Sequence, residues 1–202
     1  MARLVEDVMT LDPRLRPALV EDAPILAELV NYAGDGLPLH LWSKMAAPCE
    51  SAWEVGRRRA ARPEGGFSYR NAIIIEHRGA CAGCLIGYEI PNQPEPIGGD
   101  LPAMFVPLQE LENLAPGTWY VNVLAVRLQL RGLGLGTRLL DFADETGRAR
   151  GKRGMSVIVS DANPGARRLY ERCGYHVAAA RTMVKDDWQN DGRNWVLLTK
   201  AL

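Results

Sequence analysis

No stretch of 18 consecutive apolar residues occurs in this 202-residue sequence, and no charged-then-apolar leader stands near Met1. Neither a membrane span nor export is therefore expected, and the cytosol is the expected compartment. Neither sign of charge is in excess: 24 Lys plus Arg balance 24 Asp plus Glu, which leaves no electrostatic footprint for general nucleic-acid binding. Cysteine is scarce and scattered. Cys49, Cys81, Cys84 and Cys173, in a chain without an export signal, are expected as reduced thiols rather than a disulfide framework. Their one pattern, Cys81-Ala-Gly-Cys84, has no second Cys or His pair at a suitable spacing and sits among strand signals, so packing is favoured over a zinc or redox site and no metal is expected. There is no internal repeat and no low-complexity tract. With 47% hydrophobic residues, the length suits one domain over 1–202.

What is present reads as alternating local structure. Residues 1–13 have weak periodicity and are expected as a loose arm before a short strand, Leu15 to Val20. Asp22 is placed as a helix N-cap, followed by an apolar stripe of Ile25, Leu26, Leu29 and Val30 that ends at Gly34 and Gly36. Leu37 to Ala47 and Ser51 to Ala61 read as two more short helices; Arg57, Arg58 and Arg59 in the second read as a solvated face. Ala72 to Glu76 and Cys81 to Ile90 are β-rich runs joined by a tight turn at His77-Arg-Gly79, a hairpin. Residues 91–107 hold five of the thirteen prolines and form a long loop, functional or merely inserted, before a helical stretch near Leu108 to Leu114. Then follow a strand from Trp119 to Val126, a helix from Thr137 to Arg148, a strand from Met155 to Ser160, and a helix with Ala166, Leu169, Tyr170 and Cys173 on one stripe, stopped at Gly174. Tyr175 to Lys185 and Trp195 to Lys200 read as two closing strands around the polar loop Asp186 to Asn194. This order describes an α/β or α+β domain with a mixed sheet.

The run Arg131-Gly132-Leu133-Gly134-Leu135-Gly136 asks for a physical reason, because glycine is costly inside a helix. Lying between a buried-looking strand and an amphipathic helix, it points helix-start N–H groups and the positive end of the macrodipole outward, and without Cβ atoms a phosphate can come close. Arg131 adds a fixed charge and Thr137 a hydroxyl donor, both suited to a diphosphate. Two common phosphate motifs fail on spacing. A dinucleotide fingerprint needs glycine where Thr137 or Leu139 stands, and a P-loop needs Gly-Lys-Ser or Gly-Lys-Thr, which occurs nowhere.

The remaining pattern, Arg131-x-x-Gly134-x-Gly136 preceded by Val123-Leu124-Ala125-Val126, resembles the acetyl-CoA-binding core of GNAT N-acetyltransferases. Asn163-x-x-Ala166-x-x-Leu169-Tyr170-x-x-x-Gly174-Tyr175 is similar to the family's next segment, and Arg16-Pro17-Ala18 with Asp22-Ala23 to its opening strand and helix. The firm match covers roughly 119–176. The resemblance implies a mostly antiparallel central sheet of about seven strands, flanked by helices and splayed where the coenzyme lies. It implies main-chain contacts from Leu124, Ala125 and Val126 to the pantetheine arm. It further implies a pyrophosphate cradle over Arg131, Gly132, Leu133, Gly134, Leu135, Gly136 and Thr137, a side-chain contact from Asn163, and Tyr170 as proton donor to the coenzyme sulfur.

The implied activity is acetyl transfer from acetyl-CoA to a primary amine of a small molecule or peptide, with a catalytically silent acyl-CoA sensor or partner subunit as the alternative. Asn163 could instead be an ordinary helix N-cap, and Tyr170 plain core. Some family members carry a glutamate on the strand before the glycine turn, but here Tyr120 stands in its place and that strand holds no carboxylate. Tyr120 and Asn122 share a strand face and could line the acceptor site. Glu89 is the nearest carboxylate candidate for a general base, with His40 another possibility. Leu37 to Trp42, Trp53, Trp188 and Trp195 could wall an acceptor pocket, fill the core, or join two copies in a homodimer.

Overall fold

The structure, a computed structural model, describes residues 14–202, so the arm expected over 1–13 lies outside the described residues. Seven strands form one sheet in the order β1-β2-β3-β4-β5-β7-β6. They are β1 Arg14–Pro17, β2 Ala72–His77, β3 Ala80–Glu89, β4 Thr118–Val126, β5 Gly154–Ser160, β6 His176–Thr182 and β7 Asn194–Ala201. The helices are α1 Ala23–Ala33, α2 Leu37–Met45, α3 Ala52–Ala60, α4 Val106–Glu112, α5 Leu135–Ala149 and α6 Pro164–Arg172. Among the described residues only β4 and β5 pair in parallel; β1/β2, β2/β3, β5/β7 and β6/β7 are antiparallel. Bonds from Arg127 N to Ala82 O and from Ile90 N to Thr118 O show that β3 and β4 also run in opposite directions. Among the described residues no helix is long and apolar enough to cross a membrane.

The chain divides into two compact units, one made of residues up to Gly87 with Val123–Leu139, the other of Tyr88–Asn122 with Leu140–Leu202. In the first, β1 is shorter than expected. It stops at Pro17 because the chain turns into a single 3-10 turn, Val20–Asp22. Asp22 precedes α1 as expected, but its carboxylate turns back, accepting the Leu19 N–H at 2.8 Å and the Arg16 guanidinium at 2.6 Å instead of capping the first turn. Arg16 also reaches Glu76 on β2 at 2.6 Å. The buried stripe of α1, Leu26, Ala27, Leu29 and Val30, packs in one core with Ile74, Cys84, Ile86, Val123 and Ala125. Trp42 belongs to that core: it stacks on Phe67 at 5.7 Å, meets the edge of Trp53 at 6.2 Å, and fits because Gly56 has no Cβ. Its burial leaves it no acceptor surface.

The β2–β3 hairpin turns on Arg78 and Gly79, both at positive φ, the left-handed geometry that two-residue hairpins favour. Across the next ladder Gly83 faces the Ala125 carbonyl so closely that any Cβ would collide with it. Cys81 and Cys84 are free thiols, both pushed up by burial, and they pack in the strand. No group of three His, Cys, Asp or Glu among the described residues is placed to hold a metal.

In the second unit, β7 is flanked by β5 and β6, and Leu111 of α4 packs on Leu197 with Ile158, Ala179 and Trp195. Helix α4 begins two residues earlier than the sequence predicts, with Pro107 in its first turn, where a missing N–H costs nothing. Residues 91–102 are irregular, yet Asn113 ties them down: its side chain accepts the Glu95 N–H at 2.9 Å and donates to the Glu95 carbonyl at 2.8 Å. Asp144 of α5 is buried against Lys200 of β7, whose ammonium lies 5.6 Å from the centre of the Tyr175 ring. Removing the cation would strand a buried carboxylate, so Lys200→Met should cost about 3 kcal/mol in urea denaturation. Arg167→Met, at the exposed i,i+4 pair with Glu171, should cost no more than about 0.5 kcal/mol. Equal costs would show that the buried pair contributes nothing special.

Candidate active site

In the first unit the glycine turn is built by the backbone. Gly132 and Gly134 sit at φ 81° and 78°, where a side chain is strained, and among the described residues no atom beyond their chain neighbours lies within 4 Å of where a Cβ would stand on either. The turn is thus left-handed by construction and open on its outer side. Helix α5 starts immediately after it: the Arg138 N–H bonds to the Gly134 carbonyl at 3.1 Å, making Gly134 the N-cap. In a 15-residue helix the first N–H groups, here from Leu135, Gly136 and Thr137, have no intrahelical acceptor. Leu135 and Leu139, one turn apart, are buried and fix the helix start. Leu133 and Thr137 are exposed. Arg131 is exposed and oriented, its guanidinium 5.1 Å over the Tyr32 ring, and its charge acts on Asp35. On the preceding strand Val123 and Ala125 face the core, while Leu124 and Val126 alternate to the opposite side, half-buried.

In the second unit the β4–β5 ladder runs from Thr118↔Gly154 to Val121↔Val157. Beyond β5, the Asn163 side chain accepts the Ala166 N–H at 3.0 Å, so its capping role is present, and its amide NH₂ makes no part of that cap. Tyr170 lies on α6, buried, its ring 5.7 Å from that of Tyr175. Burial pushes its phenol well up, so it stays protonated at neutral pH.

The carboxylate picture differs from expectation. Glu89 does lie at the end of β3, but Lys152 and Arg150, the latter at 2.9 Å, hold it below the usual carboxylate range. Such an ion is a weak proton acceptor. Tyr120 is buried and its phenol is raised far above its ordinary value, chiefly by desolvation, whereas Asn122 is exposed. The Tyr120 ring lies 5.2 Å from that of Tyr88 on β3, and the Tyr88 hydroxyl donates to Glu112 Oε1 at 3.4 Å.

Glu112, the last residue of α4, is a carboxylate that the sequence does not single out. Burial pushes it up from 4.5 to about 7, with a smaller push from Glu95, while the Tyr88 hydrogen bond pulls the other way. No local signal separates it from Glu110 two residues earlier, which pairs with Arg181 of β6 at 2.7 Å.

A raised acid pKa means that the folded state holds the proton more tightly than the unfolded chain. The contribution of Glu112 to stability should therefore be full below about pH 4.5 and fall as pH rises toward 7, by up to about 3 kcal/mol. Glu112→Gln should melt higher than the wild type at pH 8 and converge with it near pH 4.5. A pH-independent difference in calorimetric melting temperature would contradict this.

The model of the Acetyltransferase (GNAT) family matches residues 39–175. An acetyltransferase of Agrobacterium fabrum (strain C58) is 41% identical over 63 residues, 31% of this chain and 44% of that protein, so the chain matches less than half the length of this curated relative. Among solved structures, the crystal structure of an acetyltransferase shares 22% identity at TM-score 0.62, covering 93% of this chain and 98% of its own. An N-acetyltransferase from Staphylococcus aureus Mu50 shares 17% identity at TM-score 0.61, covering 92% and 98%. At these identities the two structures speak for the fold.

Proposed function

Since this chain belongs to the acetyltransferase (GNAT) family, we propose that it moves an acetyl group from acetyl-CoA to a primary amine of a small molecule or peptide, the amine attacking directly in a ternary complex. Both compact units are read as one catalytic domain, because the family match runs through residues of each. The observation that carries the reading is the open, left-handed Gly132–Gly134 turn at the start of α5. It offers N–H groups without an intrahelical acceptor, a helix N-terminus and an oriented Arg131 to a diphosphate, with no side chain of the described residues within 4 Å of the Cβ positions of the two glycines.

The coenzyme supplies an activated thioester carbonyl; the chain supplies the rest. The turn from Arg131 to Thr137 binds the pyrophosphate. The main chain of Leu124 to Val126, beyond the last β4–β5 pair, aligns the pantetheine amides, and the Asn163 NH₂ steadies the arm. Tyr170 keeps its proton because it is buried, and gives it to the departing sulfur. That protonated phenol favours an active enzyme over a silent sensor.

Acetyl-CoA incubated with diamines, amino acids, amino sugars and short peptides should release free thiol only where an acceptor is present, with acetyl-amine in equal amount by mass spectrometry. Tight coenzyme binding with no turnover on any amine would overturn the reading and leave the sensor.

A further inference from the structure

We propose that Glu112 is the general base of this enzyme, taking the proton from the acceptor ammonium in place of the strand carboxylate that β4 lacks. The inference rests on the acetyl-transfer reading above. Three facts place it there, all within the second compact unit. First, Glu112, Tyr88, Tyr120 and Tyr170 are electrostatically linked in a line: Tyr88 donates to Glu112, its ring packs on that of Tyr120, and Tyr120 feels the charge of both Glu112 and Tyr170. The geometry joins Glu112, Tyr88 and Tyr120 in one contact chain, and Tyr170, the acid proposed for the leaving sulfur, acts on the same Tyr120 through its charge. Second, Tyr120 stands at the β4 position to which the GNAT resemblance assigns a glutamate in some members, and the charge of Glu112, from α4, acts on it. Third, the competing carboxylates are committed to cations, Glu89 to Lys152 and Arg150, Glu110 to Arg181 and Asp144 to Lys200. Among the described residues Glu112 has a phenol for a partner and no cation.

Its surroundings suit the task. Glu112 is mostly buried and is raised to about 7, where a carboxylate is both ionised in part and basic enough to accept a proton. The titratable groups facing it are Tyr88 from β3, Tyr120 from β4 and Glu95 from the loop before α4. Arg181 of β6, which packs on the same helix, is turned to Glu110. The balance is simple. The ammonium gives one proton to Glu112, the freed nitrogen lone pair forms the N–C bond to the acetyl carbon, and the C–S bond breaks with its electrons on sulfur. Sulfur takes the Tyr170 proton, Tyr170 is restored by the proton shed from the new amide nitrogen, and Glu112 passes its own to water. One proton leaves per amide formed.

The test uses the full chain and the best primary amine from the panel above. Glu112→Gln, which keeps size and polarity, should lower kcat/KM for the amine about a hundredfold at pH 7.5. Its acetyl-CoA affinity by calorimetry should be unchanged. The acid limb of the wild-type pH profile, with its inflection near 7, should vanish in Glu112→Gln and persist in Glu112→Asp. Tyr88→Phe, which leaves the carboxylate in place but removes a hydrogen bond to its charged form, should move that limb to higher pH. A readout independent of turnover is ¹³C NMR of glutamate-labelled protein, where the resonance lost in Glu112→Gln should titrate near 7. Wild-type rates and an intact acid limb in Glu112→Gln overturn the base alone. A wild-type chain that acetylates no amine overturns the acetyl-transfer reading, and the base with it.

Discussion

Gly134→Asp should weaken acetyl-CoA binding by about a thousandfold while leaving the fold in place. Among the described residues the substituted Cβ meets no atom within 4 Å beyond its chain neighbours, so they leave room for the side chain. The left-handed φ of 78° costs an ordinary residue roughly 1 kcal/mol, and aspartate tolerates that region better than most. Strain therefore accounts for little of the expected loss. The larger effect is charge: a carboxylate about 4 Å from a phosphate, at an effective dielectric near 20, costs about 4 kcal/mol per unit charge. Gly134→Asn separates the two causes, having the same shape and φ tolerance without the charge, and should lose less than about tenfold. Calorimetry with acetyl-CoA and with free coenzyme A measures both. Equal affinity for wild type and Gly134→Asp would remove the pyrophosphate from this turn.

Tyr170→Phe should lower kcat by several hundredfold with the coenzyme dissociation constant changed by less than about threefold. The ring remains to pack against Tyr175, and only the hydroxyl is lost. Without that donor the sulfur must leave as an unprotonated thiolate, which is poised to attack the new amide back. Because the phenol is buried and held protonated, no limb of the wild-type pH profile below about pH 9 should belong to it. Full activity in Tyr170→Phe, with the coenzyme still bound, would make Tyr170 the core residue that its position on α6 also allows.

The two variants probe features that differ in how they could be read. The glycine turn is local: positive φ at Gly132 and Gly134, a helix beginning at Leu135 and a buried i,i+4 pair at Leu135 and Leu139 all follow from residues a few positions apart. The β2–β3 hairpin, the capping box of Ser51 with Glu54 and the cap at Asn163 are of the same kind. Asp22 stands at the N-cap of α1 as the sequence predicts, but Arg16 draws its carboxylate away from the first turn. For Trp42 pocket wall, core and dimer contact all stay open on the sequence, because an aromatic side chain in a short helix carries no mark of its partner; Phe67 and the bare Gly56 supply it and put Trp42 in the core.

By itself the sequence determined the elements, their order and the glycine turn at the start of α5, since each depends on periodicity, glycine spacing and capping over less than about five helical turns. Tertiary structure alone decided the carboxylates. Glu89 is bound by residues 61 and 63 positions away, Glu110 by one 71 away, and Glu112 meets Tyr88 from 24 positions off across the Pro-rich loop. A carboxylate's basicity depends on which cation or phenol stands beside it and how much water is excluded, and both are properties of packing. The glycine turn could be read from its own residues, and the base could not.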